Sequence, residues 1–270
     1  MRLRVRFTKL GKIRFLSHRD LARIWERAVR RAELPIAYSQ GFSPRPRLAF
    51  GLALTTGAES LAEYLDIDLA APVGVETLKS TLSAALPVGL DAVAAAAIPP
   101  GTDSLQQSIV SCGWQIDVAG VDRHEAQAAV ERLLSAEHVV VSRERKGRQV
   151  SDDLRPAVLA LDVVGATETG TRLTAELGAQ PRALRPSELL AALALTSDDV
   201  RMCRTHQWIQ LGDARGEPLP VQLASPARAH ARDSRREPSD VRSRGQRPPD
   251  ARTGDEHLVG GSGTILSTTP

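Results

Sequence analysis

The residues best suited to chemistry in this sequence are basic, and they crowd the first fifth of the chain. Residues 1–50 hold thirteen Lys and Arg against three Asp and Glu, whereas residues 51–215 hold fourteen against twenty-two. The whole chain has 270 residues and a formal net charge of only +3. Guanidinium groups bind phosphate oxygens through paired N–H donors, and a local excess of them attracts polyanions. The basic end therefore predicts a surface for a nucleic acid.

Residues 19–34 have the period of a helix that carries arginines on one arc and apolar side chains on the opposite arc. The predicted arginine arc consists of Arg19, Arg23, Arg27, Arg30 and Arg31. The predicted core arc consists of Leu21, Ile24, Trp25, Ala28, Val29 and Ala32. Ser17 followed by Asp20 predicts an N-cap, so the helix should begin near His18 and end at Leu34-Pro35.

Two short strands are predicted upstream of this helix. Apolar residues alternate with arginines over residues 2–7, and Ile13 and Phe15 alternate with the basic residues beside them. This is the period of half-buried strands, and it predicts a second positive surface on the open side of the sheet. The alternative is that Asp66 and Asp68, on a later predicted strand, neutralise some of these arginines across the ladder.

A proline-stiffened loop follows the helix, with the sequence GFSPRPR at residues 41–47. Tyr38 and Phe42 fall in this region together with Arg45 and Arg47. Aromatic side chains beside cations are typical of single-stranded RNA recognition, since the rings stack on bases. The alternative is that both rings belong to the core and hold the loop in place.

No strong catalytic or metal-binding motif accompanies the basic residues. The sequence has no glycine-rich phosphate loop, no HExxH and no CxxC pair, and Cys112 and Cys203 have no metal-ligand spacing. His18 is the best acid/base candidate, although a histidine at a helix start is more often structural. We therefore expect no metal and no cofactor.

Neither an export signal nor a membrane span is expected from the sequence. The basic N-terminus lacks a following apolar segment, and no run of about 18 apolar residues occurs. With only two cysteines, the expected setting is a reducing cytoplasm.

The order of predicted elements indicates an α+β fold made of two tandem ferredoxin-like (split βαβ) units with antiparallel sheets. The basic unit should cover residues 1–105 and the second unit residues 106–215. From residue 216 to residue 270 the composition shifts to Arg, Ser, Pro, Gly and Asp, which predicts a disordered tail. A basic RNA-binding tail is the alternative for that segment.

Several separated motifs resemble the radical SAM-linked protein family of bacteria. They are RFLSHRDL, RAVRRAELPIAYSQGFSPRPRLAFGLAL and EYLDIDL in the first third, then RQVSDDLRPAVLALDV, RPSELLAALAL and VRMCRT, so the resemblance covers about residues 1–211. Members of that family are free-standing or fused behind a cobalamin-binding-type radical SAM domain. The resemblance implies a context and no reaction. The family's pattern has a histidine where this chain has Arg45, which weakens a catalytic role for that loop and leaves a binding role intact.

Our leading hypothesis is an accessory RNA-binding protein, not catalytic on its own, that presents a structured RNA to a separate radical SAM enzyme. One alternative is a metal-independent endoribonuclease with His18 as general base. Another is a protein-interaction module that docks an acidic partner. The expected RNA contacts are Arg14, His18, Arg19, Arg23, Arg27, Arg30, Arg31, Tyr38, Phe42, Arg45 and Arg47.

Overall fold

A computed structural model of the chain describes residues 1–219, apart from residue 146 and the side chains of residues 143–145 and 148. The predicted disordered tail, from residue 216 to residue 270, lies outside the described residues except for its first four. Everything below concerns the described part of the chain.

The first half alternates strands with two helices. Its elements are β1 (Arg2–Lys9), a 3-10 turn (Gly11–Phe15), α1 (His18–Arg31), β2 (Leu48–Phe50), β3 (Glu59–Asp68), α2 (Leu78–Ala85) and β4 (Leu90–Ile98). The strands lie in the order β4-β1-β3-β2, and each neighbouring pair is antiparallel. Helices α1 and α2 bury the apolar side chains of β1 and β3 on one face of this sheet.

The second half repeats this pattern with an inserted hairpin. Its elements are α3 (Leu105–Ser108), β5 (Ile109–Ala119), α4 (Arg123–Ser135), β6 (Val140–Arg145), β7 (Arg148–Asp153), a 3-10 turn (Arg155–Ala157), β8 (Val158–Ala166), β9 (Gly170–Gly178), α5 (Pro186–Leu193), β10 (Val200–Leu211) and β11 (Ala214–Gly216). Strands β10, β5, β9 and β8 lie side by side in that order, all antiparallel, while β6 and β7 form a separate hairpin. A short parallel pairing of β10 with β3 joins both halves into one nine-stranded sheet. The fold is therefore mixed α+β with a mostly antiparallel sheet.

Helix α1 has the start and the buried face that the sequence predicted. The Ser17 hydroxyl accepts a hydrogen bond from the backbone N–H of Asp20 at 3.2 Å, which caps the first turn. The buried side chains include Trp25, whose ring centroid lies 4.9 Å from that of Phe7 on β1. Burial of one face leaves the arginines of the opposite face in solvent.

The predicted strand around Ile13 and Phe15 is wrong, because residues 11–15 form the 3-10 turn. The chain reverses at Gly11, which has a φ of +68° that disfavours other residues. Lys9 is almost fully buried and its ammonium group donates to the carbonyls of Arg14 and Leu16, both at 3.2 Å. Burial lowers the pKa of this lysine. Lys9 thus fixes the entry into α1 and adds nothing to the basic surface.

The predicted positive surface on the open side of β1 is also wrong. Arg4 is buried and makes a two-pronged pair with Asp66, at 2.7 Å and 2.9 Å. Arg2 donates to Asp68 at 2.8 Å, and this hydrogen bond raises the pKa of its guanidinium. The cross-strand neutralisation by the two aspartates is the alternative that the structure supports.

The third arginine of β1, Arg6, is fully buried next to residues that follow β11. It donates to the Glu217 carboxylate at 2.6 Å, and its guanidinium carbon lies 5.9 Å from the centroid of the Tyr64 ring. Burial raises the pKa of the Tyr64 hydroxyl. The last described residues therefore cover the open face of the first sheet, a long-range contact that strand periodicity could not predict.

Candidate nucleic-acid interface

The arginine face of α1 is solvent-exposed along the whole helix. It comprises Arg19, Arg23, Arg27, Arg30 and Arg31. Arg23 lies 3.5 Å from the Asp20 carboxylate and stays 61% exposed, while Arg31 donates to the carbonyl of Ala85 at 3.0 Å. The other three have no ion-pair or hydrogen-bond partner among the described residues. Exposed guanidinium groups without acidic partners are free to bind phosphates.

The loop after α1 is a short hairpin, which we call the aromatic hairpin (residues 36–47). The backbone N–H of Ser39 donates to the carbonyl of Arg45, and that of Arg47 donates to Ala37, both at 2.9 Å. Its tip carries Phe42 with the whole ring in solvent, and the Tyr38 ring is exposed as well. The alternative that these rings lie in the core is therefore wrong.

The other basic residues of the predicted set differ in how freely they could bind a ligand. Arg47 pairs with Asp68 at 2.9 Å but keeps an exposed side chain, and the side chain of Arg45 has no partner in the described part of the chain. Arg14 is held more tightly, since its guanidinium lies 4.0 Å from the Glu59 carboxylate and 4.8 Å from the centroid of the Phe15 ring. Arg14 is the weakest member of the set.

A groove of about 560 Å³ lies along the edge strand β2, and we call it the edge groove. His18 and Arg47 both line it, together with Arg2 and Asp68. Phe50, which the sequence did not single out, also lines it, and its ring lies 5.1 Å from that of His18 in an edge-on arrangement. Strand β2 has only three residues, too few for an alternating pattern to predict the position of Phe50. The groove offers cations, carboxylates and an aromatic surface within one recess.

His18 lacks the partner that a catalytic histidine needs. Its exposed ring contacts Phe50 and makes no hydrogen bond to any described residue. General base catalysis is favoured when a second group fixes the tautomer and orientation of the imidazole. The geometry suits ligand contact, and the nuclease role of His18 stays a prediction. Because Arg19 follows His18 directly in α1, the arginine face begins beside the edge groove.

Three further features concern metals, membranes and thiols. Among the described residues no group of three or more His, Cys, Asp or Glu is placed to hold a metal ion. In the same residues no helix is long and apolar enough to cross a membrane. Burial raises the pKa of the Cys112 thiol to about 11 and that of Cys203 to about 12, which keeps both thiols protonated.

Comparison with known proteins gives a family and little else. The family model described as "Uncharacterized protein conserved in bacteria (DUF2344)" matches residues 2–186. No curated protein matches the chain. A chain in the crystal structure of a Cbf5-Nop10-Gar1 complex is similar, with 10% identity over 76% of this chain and 48% of that chain, at a TM-score of 0.42. The match thus spans about half of that chain, and a likeness at this level carries no functional argument.

Proposed function

The chain belongs to DUF2344, an uncharacterised protein family conserved in bacteria, and from the geometry of its basic surface we propose that it binds RNA. The observation that carries the proposal is the set of exposed guanidinium groups on α1 that have no acidic partner among the described residues: Arg19, Arg27 and Arg30. An isolated surface cation is common, but a row of them on one helix face concentrates positive potential. Phosphate groups are the natural counterpart of such a row.

The aromatic hairpin supports RNA over a purely electrostatic partner. A fully exposed Phe42 ring costs solubility and contributes nothing to packing, so it is available for contact with a flat ligand. Bases in single strands and loops are unstacked and accept such rings, whereas bases in a duplex do not. Arg45 and Arg47 belong to this hairpin and place guanidinium groups near the same ligand. The combination favours single-stranded regions of a folded RNA.

Salt dependence tests the proposal at the level of single arginines. We expect Arg27→Gln and Arg30→Gln each to reduce the slope of log affinity against log salt by about 0.7, since each side chain releases counterions from a single strand. Fluorescence anisotropy with a labelled structured RNA, repeated over a salt series, measures this slope. The matched control is Arg132→Gln, which removes another exposed helical arginine, from α4 in the second half. The control should leave the slope unchanged.

The same variants separate RNA binding from folding. Because both arginines are exposed and unpaired within the described residues, we expect their loss to change the free energy of unfolding by no more than about 0.5 kcal/mol. An unchanged salt slope together with a melting temperature lowered by several degrees would show that these arginines serve the fold. That result would remove the basis for RNA binding.

We further propose that the protein acts as an accessory to a radical SAM enzyme that modifies or processes the bound RNA. The support is the resemblance of residues 1–211 to the radical SAM-linked proteins. In this role the partner enzyme would supply the iron–sulfur cluster, and this chain would hold the RNA. Affinity purification from the native cells, before and after nuclease treatment, tests the association. Recovery of no radical SAM enzyme in either preparation would contradict the accessory role and leave RNA binding intact.

We also propose that the two halves are tandem ferredoxin-like units with a boundary near residue 105. The support is that both halves order their strands alike, as β4-β1-β3-β2 and as β10-β5-β9-β8, with antiparallel neighbours in each. In each half one helix follows the first strand and another follows the third. The hairpin of β6 and β7 is an insertion into the second unit.

A further inference from the structure

Three planar groups stack on the outer face of the second half of the sheet. His206 and Trp208 lie two residues apart on β10, and their rings are parallel within 4° at a centroid separation of 5.0 Å. The guanidinium carbon of Arg215, on β11, lies 5.2 Å from the centroid of the Trp208 ring. Both rings are only half-buried. We call this group the ring column, and none of its members belongs to the basic surface described above.

The backbone beneath the ring column is shaped to hold it. The pairing of β10 with β5 shifts register between Arg204 and His206, which marks a β-bulge that re-aims the side chains that follow. Gly113 lies opposite His206, and a Cβ atom there would come within 2.9 Å of the Thr205 hydroxyl oxygen. Any larger residue at position 113 would have to push Thr205 or His206 aside. Bulges and close approaches of this kind are frequent at binding sites.

A cavity of about 260 Å³ opens beside the ring column, and its polar lining includes two carboxylates. The Asp162 carboxylate lines it, is exposed, and has no partner among the described residues. The Glu176 carboxylate also lines it and accepts hydrogen bonds from the Ser111 hydroxyl, at 2.8 Å, and from Arg215. The unpaired Asp162 carboxylate disfavours a phosphate group in this cavity, whereas it favours a flat ligand that carries N–H donors.

We propose that the cavity binds one base of single-stranded RNA, and that the base it prefers is guanine. This inference rests on the proposed RNA binding and deepens it. The base would stack against the ring column, while Asp162 would accept hydrogen bonds from the adjacent imino and amino N–H groups of guanine. Uracil presents carbonyl oxygens on both sides of its single N–H and would meet the carboxylate with repulsion. The phosphates of the same strand would lie outside the cavity.

Two short RNAs test the base preference, one of uridines alone and one with a single central guanosine. We expect the guanosine RNA to bind more tightly and to quench tryptophan fluorescence, because Trp208 is the least buried of the three tryptophans. Asp162→Asn should reduce the preference for guanosine by about 5-fold to 150-fold, which corresponds to the 1–3 kcal/mol of one bidentate base contact. Trp208→Leu should remove the quenching. The matched control is Asp91→Asn, an exposed aspartate on strand β4 of the first half.

Guanosine alone separates this inference from the proposed function, because it carries no phosphate and cannot use the arginine face. We expect guanosine, and not uridine, to quench the fluorescence of the full chain, with the quenching weakened in Asp162→Asn. If Arg27→Gln weakens every RNA alike while Asp162→Asn and Trp208→Leu leave the guanosine preference and the quenching unchanged, the base site is overturned and RNA binding stands. If no RNA binds but guanosine still quenches Trp208, the cavity is a guanine pocket whose occupant is not RNA, and both the RNA-base assignment and the role of the arginine face are overturned.

Discussion

The pair of Arg4 and Asp66 gives the sharpest test of how the basic N-terminus divides between fold and surface. The two side chains are only 3% and 4% exposed, and they share two hydrogen bonds across β1 and β3. Removing one partner leaves the other charge buried without a counter-charge. Asp66→Asn should therefore lower the free energy of unfolding by about 3–5 kcal/mol. Urea unfolding followed by circular dichroism measures this loss. The double variant Arg4→Met with Asp66→Leu should recover most of it, since neither residue then leaves a buried charge.

An exposed pair of the same geometry provides the control. Arg172 and Asp117 also form two hydrogen bonds across neighbouring strands, at 2.6 Å and 2.7 Å, but their side chains are 40% and 24% exposed. Water screens such a pair, so Asp117→Asn should cost no more than about 1 kcal/mol. If Asp66→Asn costs as little as Asp117→Asn, Arg4 is accessible to water and our assignment of this arginine to the interior is refuted.

Four other predictions follow from the burial and contacts of single residues. Trp25→Ala should lower the free energy of unfolding by about 3–5 kcal/mol in chemical denaturation, because the whole ring is buried. Hydrogen bonds with a neighbouring histidine and from two backbone N–H groups lower the pKa of Asp153 to about 2. Its contribution to stability is therefore present above the unfolded pKa of about 4 and disappears as pH falls through 2, so the melting temperatures of wild type and Asp153→Asn should converge across that window. At neutral pH, Cys112 and Cys203 should react with iodoacetamide far more slowly in the folded chain than in denaturant, as mass spectrometry can show. Labelled RNA should stay intact with the wild-type protein in EDTA; cleavage that is lost in His18→Ala would establish the nuclease alternative.

Local patterns in the sequence were enough to predict helix α1 and strand β1, which depend on neighbouring residues. The α1 start was readable because Ser17 caps its own helix, and Asp122 caps α4 in the same way, by accepting from the backbone N–H of Glu125. The buried face of α1 was readable because 3.6 residues per turn fix which side chains share an arc. These are properties of short windows. Four residues around Ile13 were too short a window, and the turn there depends on Lys9 and on the loop at Gly89, whose carbonyl accepts from the N–H of Leu10.

Whether another part of the chain covers the polar face of a strand could not be predicted in the same way. Alternation shows that Arg4 and Arg6 share a face, but it does not show whether another part of the chain covers that face. Similarly, the spacing of His206 and Trp208 places both on one side of a strand, yet their stacking depends on a bulge and on Gly113 in another strand. The basic surface was overpredicted on the sheet and correctly predicted on α1. The ring column was missed because it needs three strands at once.

The contact of Arg6 with Glu217 can form only after nearly all of the described chain has been synthesised. Residue 6 leaves the ribosome among the first, and its partner follows only after 210 intervening residues have been translated. Until then the Arg6 guanidinium of the nascent first half lies either in water or in an interior without a counter-charge. Both arrangements weaken the packing of the first half. A truncated product that stops before residue 217 keeps that defect permanently and should be degraded faster than the full chain. One buried arginine thereby gives unfinished copies a packing defect that complete ones lack.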